Sequence, residues 1–323
     1  MSFNVLVLFI VTLVYSTTFP IIRAATANLG GVDICALRFI VAGCCVVPFS
    51  LRAARATWRD GIVLGVVGFV ACVTQTVGLE YISAGRSAFL STTSVPMVPL
   101  LGLVLGESLN RQALAAALLA CAGVGLMFCG GGANWRGDGL TLFCAINYAI
   151  YTTWLSQRVG DHSSFDLAVA QIATMAVISL IWLLIAHPHA QALSMLAVRA
   201  LPVALPLVYL GAVATGGMLY LQAVGQRRVS AAKAAVIGAL EPVFAAIFGW
   251  WWLHETLGPR GLAGAAMVAG AVVLGEWRFP QKAMSTPDRL RVIPLSGFSQ
   301  TNQEPRLRGD KWIPPTDPTP KER

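Results

Sequence analysis

Charged side chains are scarce in this sequence, and most of the chain has very few of them. They make up 12% of the 323 residues, about half of the ~25% that is usual in soluble domains. Fourteen of the 38 charged residues lie in the last 47 positions, so the first 276 residues are strongly apolar. A soluble globular domain cannot hide that much apolar surface, and the composition excludes this class.

Sequence motifs for catalysis and metal binding are also missing. There is no HExxH zinc motif, no P-loop and no glycine-rich fingerprint after a strand. The seven cysteines fall inside apolar runs without zinc-like spacing. We therefore expect neither enzyme activity nor a cofactor. The net charge is +8, but basic residues stand singly or in short groups between apolar runs, which disfavours nucleic-acid binding.

Long apolar runs are what the sequence has in abundance. A helix that crosses ~30 Å of hydrocarbon needs roughly 20 mostly apolar residues. We predict an all-α integral membrane protein with ten transmembrane helices, near residues 3–22, 33–51, 61–79, 87–105, 112–129, 139–157, 167–186, 201–223, 234–253 and 260–277. Gly61 and Gly65, one turn apart, predict close packing of the third helix. Residues 278–323 are rich in proline and charge and predict a disordered cytoplasmic tail.

The distribution of basic residues predicts the orientation, because Lys and Arg resist translocation. With the amino terminus inside, the inner loops hold eight Lys or Arg and the tail nine more, whereas the outer loops hold five. We therefore expect both termini in the cytoplasm and the protein in the plasma membrane, which in a bacterium is the inner membrane. No Lys or Arg precedes Arg23, so the first apolar run is predicted to stay as a helix and not to be cleaved as a signal peptide.

An internal repeat divides the apolar part of the chain. Thr17 recurs 135 residues later as Thr152, and further pairs lie 147 or 148 residues apart: Gln75 with Gln222, Ser83 with Ser230, Arg86 with Lys233, and Glu107 with Glu255. Residues 1–130 and 137–277 are therefore predicted to be two copies of a five-helix unit. The second copy has about 12 extra residues around His187 to Arg199, predicted as an outer loop. An odd number of helices per copy gives the copies opposite orientations in the membrane, which is typical of secondary transporters.

Several short motifs follow one another in a recognisable order: Thr17 to Arg23, Leu37 to Phe39, Ser83 to Pro96 with Glu107, Gly137 with Asp138, and Leu240 to Phe244 with Glu255. Over residues 5–276 the chain resembles the EamA-type transporters of the drug/metabolite transporter superfamily. The resemblance implies ten helices around a central cavity and the export or exchange of small polar metabolites such as amino acids. Pro96 and Pro99 are shifted relative to Pro242, which predicts different kinks in the fourth and ninth helices.

Side chains that share a helix face and recur in both halves are candidates for the cavity wall. Asn147, Tyr151 and Trp154 are spaced by 4 and 3 residues on one face of the sixth helix. Polar groups in hydrocarbon need partners or water, so such faces should point inward. The predicted substrate-binding residues are Ser16, Phe19, Gln75, Ser91, Ser94, Asn147, Tyr151, Trp154, Gln222 and Glu241. A structural interpretation stays open, because serines bond carbonyls one turn back and aromatic rings fill helix contacts.

Two ionisable residues lie inside predicted helices. Glu241 is near mid-depth of the ninth, where an ionised carboxylate costs at least about 2.5 kcal/mol. Three roles remain open for it: coupling transport to a proton, binding a substrate ammonium group, or bracing the turn before Pro242. Arg38 lies about one turn inside the second helix, and we predict that it snorkels to the outer interface instead of contacting substrate.

The expected partners are a small-molecule substrate and the lipid bilayer, with a proton as the candidate coupling ion and no nucleic acid. The oligomeric state is not predicted. A passive channel or facilitator is the main alternative function and would not accumulate substrate against a gradient. An intramembrane enzyme has less support, because the sequence lacks a catalytic motif.

Overall fold

The computed structural model describes residues 2–46, 48–49, 54–105, 111–128, 134–244, 247–248 and 258–277, and these residues contain no β-strand. The tail 278–323 and the repeat partners Glu107 and Glu255 lie outside the described residues. The α-helices are α1 (Phe3–Ala25), α2 (Gly31–Val46), α3 (Arg55–Tyr81), α4 (Ala84–Thr92), α5 (Ser94–Val104), α6 (Arg111–Phe128), α7 (Trp135–Arg158), α8 (Ser164–Ala186), α9 (Ala190–Ala200), α10 (Ala204–Val208), α11 (Met218–Gln226), α12 (Ala231–Gly238) and α13 (Pro259–Trp277). A π-helical segment, Tyr209–Gly217, joins α10 to α11.

Several helical stretches are long and apolar enough to cross a membrane. Five meet this condition among the described residues: Phe3–Ala25, Arg55–Tyr81, Ala84–Val104, Ser164–Ala186 and Ala190–Gln226. Apolar side chains also point out of the bundle, as on α8, where Val177, Ile181 and Ile185 are 58, 51 and 71% exposed. An outward apolar face of this kind needs lipid around it. The all-α membrane fold is confirmed, and the number of ten spans stays a prediction.

The insertion in the second half is helical where the sequence predicted a loop. Residues Ala190–Ala200 form α9, and Leu196 on this helix is buried in an apolar cluster with Leu183 and Leu207. The preceding His187 lies with its Nε2 3.1 Å from Asp33 Oδ1 at the start of α2. The loop prediction is wrong because the insertion has an apolar face that packs on the bundle.

The fourth and ninth predicted spans both break near their middle. α4 ends at Thr92 and α5 begins at Ser94, whereas α12 ends at Gly238 and the chain is helical again from residue 241. The chain has a turn at residue 93 in the fourth span and at 239–240 in the ninth, and the repeat offset of 147 maps 239–240 onto 92–93, so the two breaks overlap. The prediction of different kinks stays a prediction. Pro96 and Pro242 lack an N–H, which deprives the carbonyls of Thr92 and Gly238 of their helical partners.

The π-helical segment lies against α2. Thr215 Oγ1 donates to the Leu210 carbonyl five residues earlier, at 2.7 Å. A Cβ atom on Gly211 would lie 2.6 Å from the Arg38 carbonyl oxygen, so glycine is needed for this approach. π-helical turns often occur at functional sites, and this one brings Thr215 beside Arg38.

Most close helix pairs join the first half of the chain to the second. α3 packs against α7 and α8, α11 packs against α1, and the π-helical segment packs against α2. α2 also packs against α8, and α6 against α13. The predicted role of Gly61 and Gly65 is confirmed, since added Cβ atoms would clash with Ala170 and Thr174 of α8.

Polar contacts close the end of the bundle at which α1 begins and α7 and α11 end, which we call the amino-terminal face. Asn4 Nδ2 donates to the Val224 carbonyl at 2.8 Å. His162 Nε2 lies 2.8 Å from Asp60 Oδ2, and Arg227 Nη2 donates to the His162 carbonyl at 3.1 Å. These bonds tie α1 and the start of α3 to the second half.

A second set of contacts lies at the opposite face, where α1 and α3 end and α4 and α7 begin. Arg86 and Asp138 form a two-pronged salt bridge, with Nε–Oδ1 at 2.6 Å and Nη2–Oδ2 at 2.8 Å. Arg23 Nη1 donates to the Leu79 carbonyl at 2.6 Å, and the Gly31 N–H donates to the Glu80 carboxylate. The bundle is therefore held by polar contacts at both faces.

Candidate functional site

A central cavity lies between these two faces and is lined by both halves of the chain. Six of the ten predicted site residues line it, namely Gln75, Ser91, Ser94, Tyr151, Gln222 and Glu241. The hydroxyl and charged lining residues outside those ten are Tyr15, Thr18, Arg38, Thr92, Tyr148 and Thr215. The two broken spans and the π-helical segment all reach this cavity, so irregular backbone and polar side chains occur together here.

Helix α7 supplies an aromatic wall. Cys144, Tyr148 and Tyr151 line the cavity, and their spacing of 4 and 3 residues places them on one helix face. The rings of Tyr148 and Tyr151 stack with their centroids 6.2 Å apart. Tyr151 Oη donates to Gln171 Oε1 of α8 at 2.9 Å, which fixes the ring. The wall therefore presents two stacked aromatic rings to the cavity.

Asn147 and Trp154 were predicted for this wall, but the structure places them outside the cavity lining. Asn147 Nδ2 donates to the Phe143 carbonyl at 2.8 Å. The Trp154 ring packs against an apolar cluster, with the Arg158 guanidinium carbon 5.2 Å from the ring centroid. The stripe that faces the cavity contains Tyr151 but is shifted by three residues from the predicted one, which at ~100° per residue is a rotation of about 60° around the helix axis.

A similar rotation applies to α1. Tyr15 and Thr18 line the cavity, whereas the predicted Ser16 and Phe19 do not. Ser16 is fully buried and its Oγ donates to the Leu13 carbonyl at 2.6 Å. Phe19 lies in an apolar cluster on another side of α1. For these two residues the packing interpretation fits the structure.

The repeat partners Gln75 and Gln222 each bond to a neighbouring helix at the cavity wall. Gln75 Nε2 donates to Ser91 Oγ at 3.0 Å, and Ser91 Oγ donates to the Ser87 carbonyl at 2.9 Å. Gln222 Oε1 accepts from Tyr15 Oη at 3.3 Å. These bonds hold the polar wall in place without using all of its hydrogen-bonding groups.

Arg38 points into the bundle, and the prediction that it snorkels outward is wrong. The residue is 6% exposed. Its Nε and Nη2 donate to Thr215 Oγ1 at 3.1 and 2.9 Å. Along the part of the chain that the structure describes, no carboxylate lies within salt-bridge distance of it. A guanidinium has five N–H donors, so this cavity contains a buried positive charge with donors to spare. A lone basic residue within an apolar helix was the signal for it.

Glu241 lies beside the break in the ninth predicted span. It lines the central cavity together with Gly238. Pro242 has no N–H that could bond the Gly238 carbonyl, so this carbonyl has no helical partner. None of the salt bridges between described residues includes Glu241. The central cavity therefore contains one basic and one acidic side chain, and neither is neutralised by an ion pair within the described structure.

A second pocket extends from the central cavity toward the amino-terminal face. Four helices enclose it, α1, α7, α11 and α12. It shares Tyr15, Tyr148, Gln222, Ala235, Gly238 and Glu241 with the central cavity and is otherwise lined by Leu8, Val11, Thr12, Thr152, Gln226 and Ala234. We call it the amino-terminal pocket.

An all-helical membrane bundle with a polar cavity at the level of its broken helices has the architecture of a membrane carrier. Comparison with known proteins gives the particular family. The EamA-like transporter family matches residues 2–129 and 135–275, and the chain belongs to this family. The resemblance that the sequence motifs indicated is confirmed.

Curated relatives match most of the chain. An uncharacterized transporter of Archaeoglobus fulgidus is 28% identical over 267 residues, which are 82% of this chain and 83% of the relative. The uncharacterized transporter YvbV of Bacillus subtilis is 24% identical over 281 residues, covering 83% and 90%. A crystal structure of a protein that is 18% identical superposes over 85% of this chain and 98% of the other chain, with a TM-score of 0.66. This similarity supports the fold. The chain is a membrane transporter and not an enzyme.

Proposed function

We propose that this transporter exports or exchanges small polar metabolites such as amino acids across the plasma membrane. The observation that carries the proposal is the pair of ionisable residues in the central cavity, Arg38 and Glu241. A ligand that has both a carboxylate and an ammonium group complements such a pair. The stacked rings of Tyr148 and Tyr151 form an apolar wall for the rest of the ligand.

Arg38 is the group that recognises the substrate carboxylate in this proposal. Its hydrogen bonds to Thr215 orient the guanidinium but leave its charge without a counterion in the described structure. A carboxylate accepts charge-assisted hydrogen bonds from a guanidinium, each of which contributes about 1.5–3 kcal/mol. Ligands without a carboxylate would leave the charge buried and unpaired, so they should bind poorly.

Alternating exposure of the cavity follows from the predicted inverted repeats, residues 1–130 and 137–277. The helix contacts support this arrangement: the packing of α3 against α7 and α8 has its counterpart in α11 against α1 and the π-helical segment against α2. The coincident helix breaks support it too. In this arrangement ten helices cross the membrane, both termini and the tail are cytoplasmic, and rocking of the two repeats exposes the cavity to each side in turn.

Glu241 is the candidate for proton coupling. It lies in the same cavity as the proposed substrate and next to backbone that is not bonded within a helix. A carboxylate in this position is neutral when protonated and can pair with a substrate ammonium group when ionised. Proton binding and substrate binding would then exclude each other, which is the requirement for exchange of one for the other.

A flux assay in proteoliposomes tests the function. Amino acids and the amines that correspond to them without the carboxylate are loaded inside, and release is measured with and without a proton gradient. We expect release of amino acids but not of the matched amines, and a faster rate under the gradient. Arg38→Gln should lower the affinity for amino acids at least about tenfold, since one charge-assisted bond is lost.

Three results would count against the proposal. Equal transport of amines and amino acids would remove the role of Arg38. Transport that never exceeds equilibration in any gradient would identify a passive facilitator. Thr215→Val is the matched control, since it removes the hydroxyl that Arg38 bonds but keeps the charge of Arg38. A loss of amino-acid affinity as large as that of Arg38→Gln would assign the effect of both variants to packing.

A further inference from the structure

We propose that the amino-terminal pocket is a hydrated proton route that connects Glu241 with the amino-terminal face. The inference deepens the proposed function, because it rests on Glu241 as the coupling residue. Its ligand is water, and the transported species is the proton. The route would make proton binding at Glu241 depend on the amino-terminal side, while the substrate enters the central cavity.

Two buried polar atoms in the wall of this pocket have no hydrogen-bond partner among the described residues. Thr152 is 2% exposed and Gln226 is 3% exposed. Within the part of the chain that the structure describes, Thr152 Oγ1 and Gln226 Oε1 form no hydrogen bond. Leaving such a group unsatisfied costs about 1–3 kcal/mol, and a buried water typically satisfies about three such groups. Both residues line the pocket that contains Glu241, so its wall is built to hold water.

The pocket has the length and direction that a route to Glu241 requires. Its lining on α1 runs from Leu8 to Tyr15, which at ~1.5 Å per residue is roughly 10 Å. Hydrogen-bonded oxygens lie ~2.8 Å apart, so this distance corresponds to a few waters in a row. Gln226 is the last residue of α11, at the amino-terminal face, and Glu241 is at the other end of the pocket.

The corresponding positions of the first repeat lack these features. Thr17, the repeat partner of Thr152, has its Oγ1 2.7 Å from Tyr209 Oη. Leu79, the repeat partner of Gln226, is apolar and fully buried. The equivalent path toward the opposite face is therefore filled by a satisfied hydroxyl pair and a leucine. This asymmetry assigns the proton route to the amino-terminal face alone.

The chemistry of the step is a simple proton transfer. A hydronium ion in the pocket gives its proton to the Glu241 carboxylate, which becomes a neutral carboxylic acid, and a water molecule remains. Thr152 and Gln226 hold the waters and are unchanged. Tyr15 and Tyr148 are the other ionisable groups of the lining, and His162, Asp60 and Arg227 lie at the amino-terminal face.

Hydrogen–deuterium exchange at the Glu241 carboxyl tests the route without any substrate. The full-length protein in lipid is transferred from H2O to D2O at a pH at which the carboxylic acid is protonated, and its infrared band is followed in time. Glu241→Gln identifies the band. Thr152→Val and Gln226→Leu should each slow the exchange at least tenfold, because they remove the groups that hold water.

Two matched controls sharpen the test. Thr153→Val alters the next residue, whose hydroxyl bonds the Ala149 carbonyl outside the pocket, and it should exchange like the parent chain. Thr17→Val alters the repeat partner and should also exchange like the parent. Exchange at the parent rate in both Thr152→Val and Gln226→Leu would overturn the proposal. Slowing by Thr17→Val but not by Thr152→Val would overturn it as well, since the route would then start at the opposite face.

The proposal and the coupling role of Glu241 fail in different assays. Substrate accumulation by Glu241→Gln would refute coupling, but it would not alter the exchange rates of the Thr152 and Gln226 variants. If Thr152→Val is not monodisperse, Gln226→Leu alone decides the outcome, and Thr152→Ser, which retains the hydroxyl, should exchange like the parent.

Discussion

Tyr151 and Trp154 lie one turn apart on α7 and have different surroundings. Tyr151 lines the central cavity and bonds Gln171, whereas Trp154 packs against an apolar cluster and Arg158. We predict that Tyr151→Ala raises the apparent KM for the substrate about tenfold, since the aromatic wall is lost. Trp154→Ala should leave KM unchanged and lower the melting temperature.

Initial transport rates over a range of substrate concentrations, measured below the melting temperatures of both variants, check this prediction. Tyr151→Phe is the milder control, because it keeps the ring and removes only the bond to Gln171. An unchanged KM in Tyr151→Ala, or an equal increase in both alanine variants, would contradict the assignment of the cavity face.

The candidate residues could be predicted from the sequence only in part, and α7 shows why. Periodicity identifies which residues share a face, but it does not say which face points toward the centre of the bundle. The stripes 144/148/151 and 147/151/154 have the same spacing and share Tyr151, so the sequence alone cannot choose between them. Arg38 was misassigned for a related reason: its depth fits snorkelling, and only the approach of Gly211 and Thr215 to α2 shows that it turns inward.

The broken helices are the elements that bring the site together. Pro242 removes the bond to the Gly238 carbonyl, and α12 ends there. We predict that Pro242→Ala restores this bond, raises the melting temperature and slows substrate exchange several-fold, because a continuous helix resists rearrangement. Exchange at equal substrate concentrations on both sides, together with thermal unfolding, measures both effects.

Pro259→Ala provides the control for this element. Pro259 is the first residue of α13, where proline does not remove a helical hydrogen bond, so its replacement should change neither quantity much. A more stable Pro242→Ala variant that exchanges at the parent rate would show that the break is not used in transport.

The positions of these breaks were only partly predictable. The prolines indicated that both spans are interrupted, but their positions differ by one residue in the repeat, which suggested different kinks. A proline acts on the carbonyl four residues before it, and in the repeat alignment the turn at residue 93 overlaps the turn at 239–240. The overlap of the two breaks therefore became clear only from the backbone.

The whole molecule is predicted to be an inverted repeat, and membrane topology tests this. α3 begins at Arg55 and α7 at Trp135, and the ten-helix arrangement places these two positions on opposite sides. Arg55→Cys and Trp135→Cys should therefore react with a membrane-impermeant maleimide from opposite sides, Arg55→Cys in inverted vesicles and Trp135→Cys in right-side-out vesicles. The parent chain, which contains only the native cysteines, gives the background labelling. Labelling of both variants from one side would contradict the inverted arrangement.

The central claim is that Glu241 couples a proton to movement of a substrate through the shared cavity. Glu241→Gln tests it most directly, since it keeps the shape and a hydrogen-bonding oxygen but cannot bind and release a proton. In proteoliposomes at equal protein density and pH, we predict that this variant exchanges amino acids at equal concentrations on both sides yet does not accumulate them under a proton gradient. Accumulation at the parent level would contradict the account.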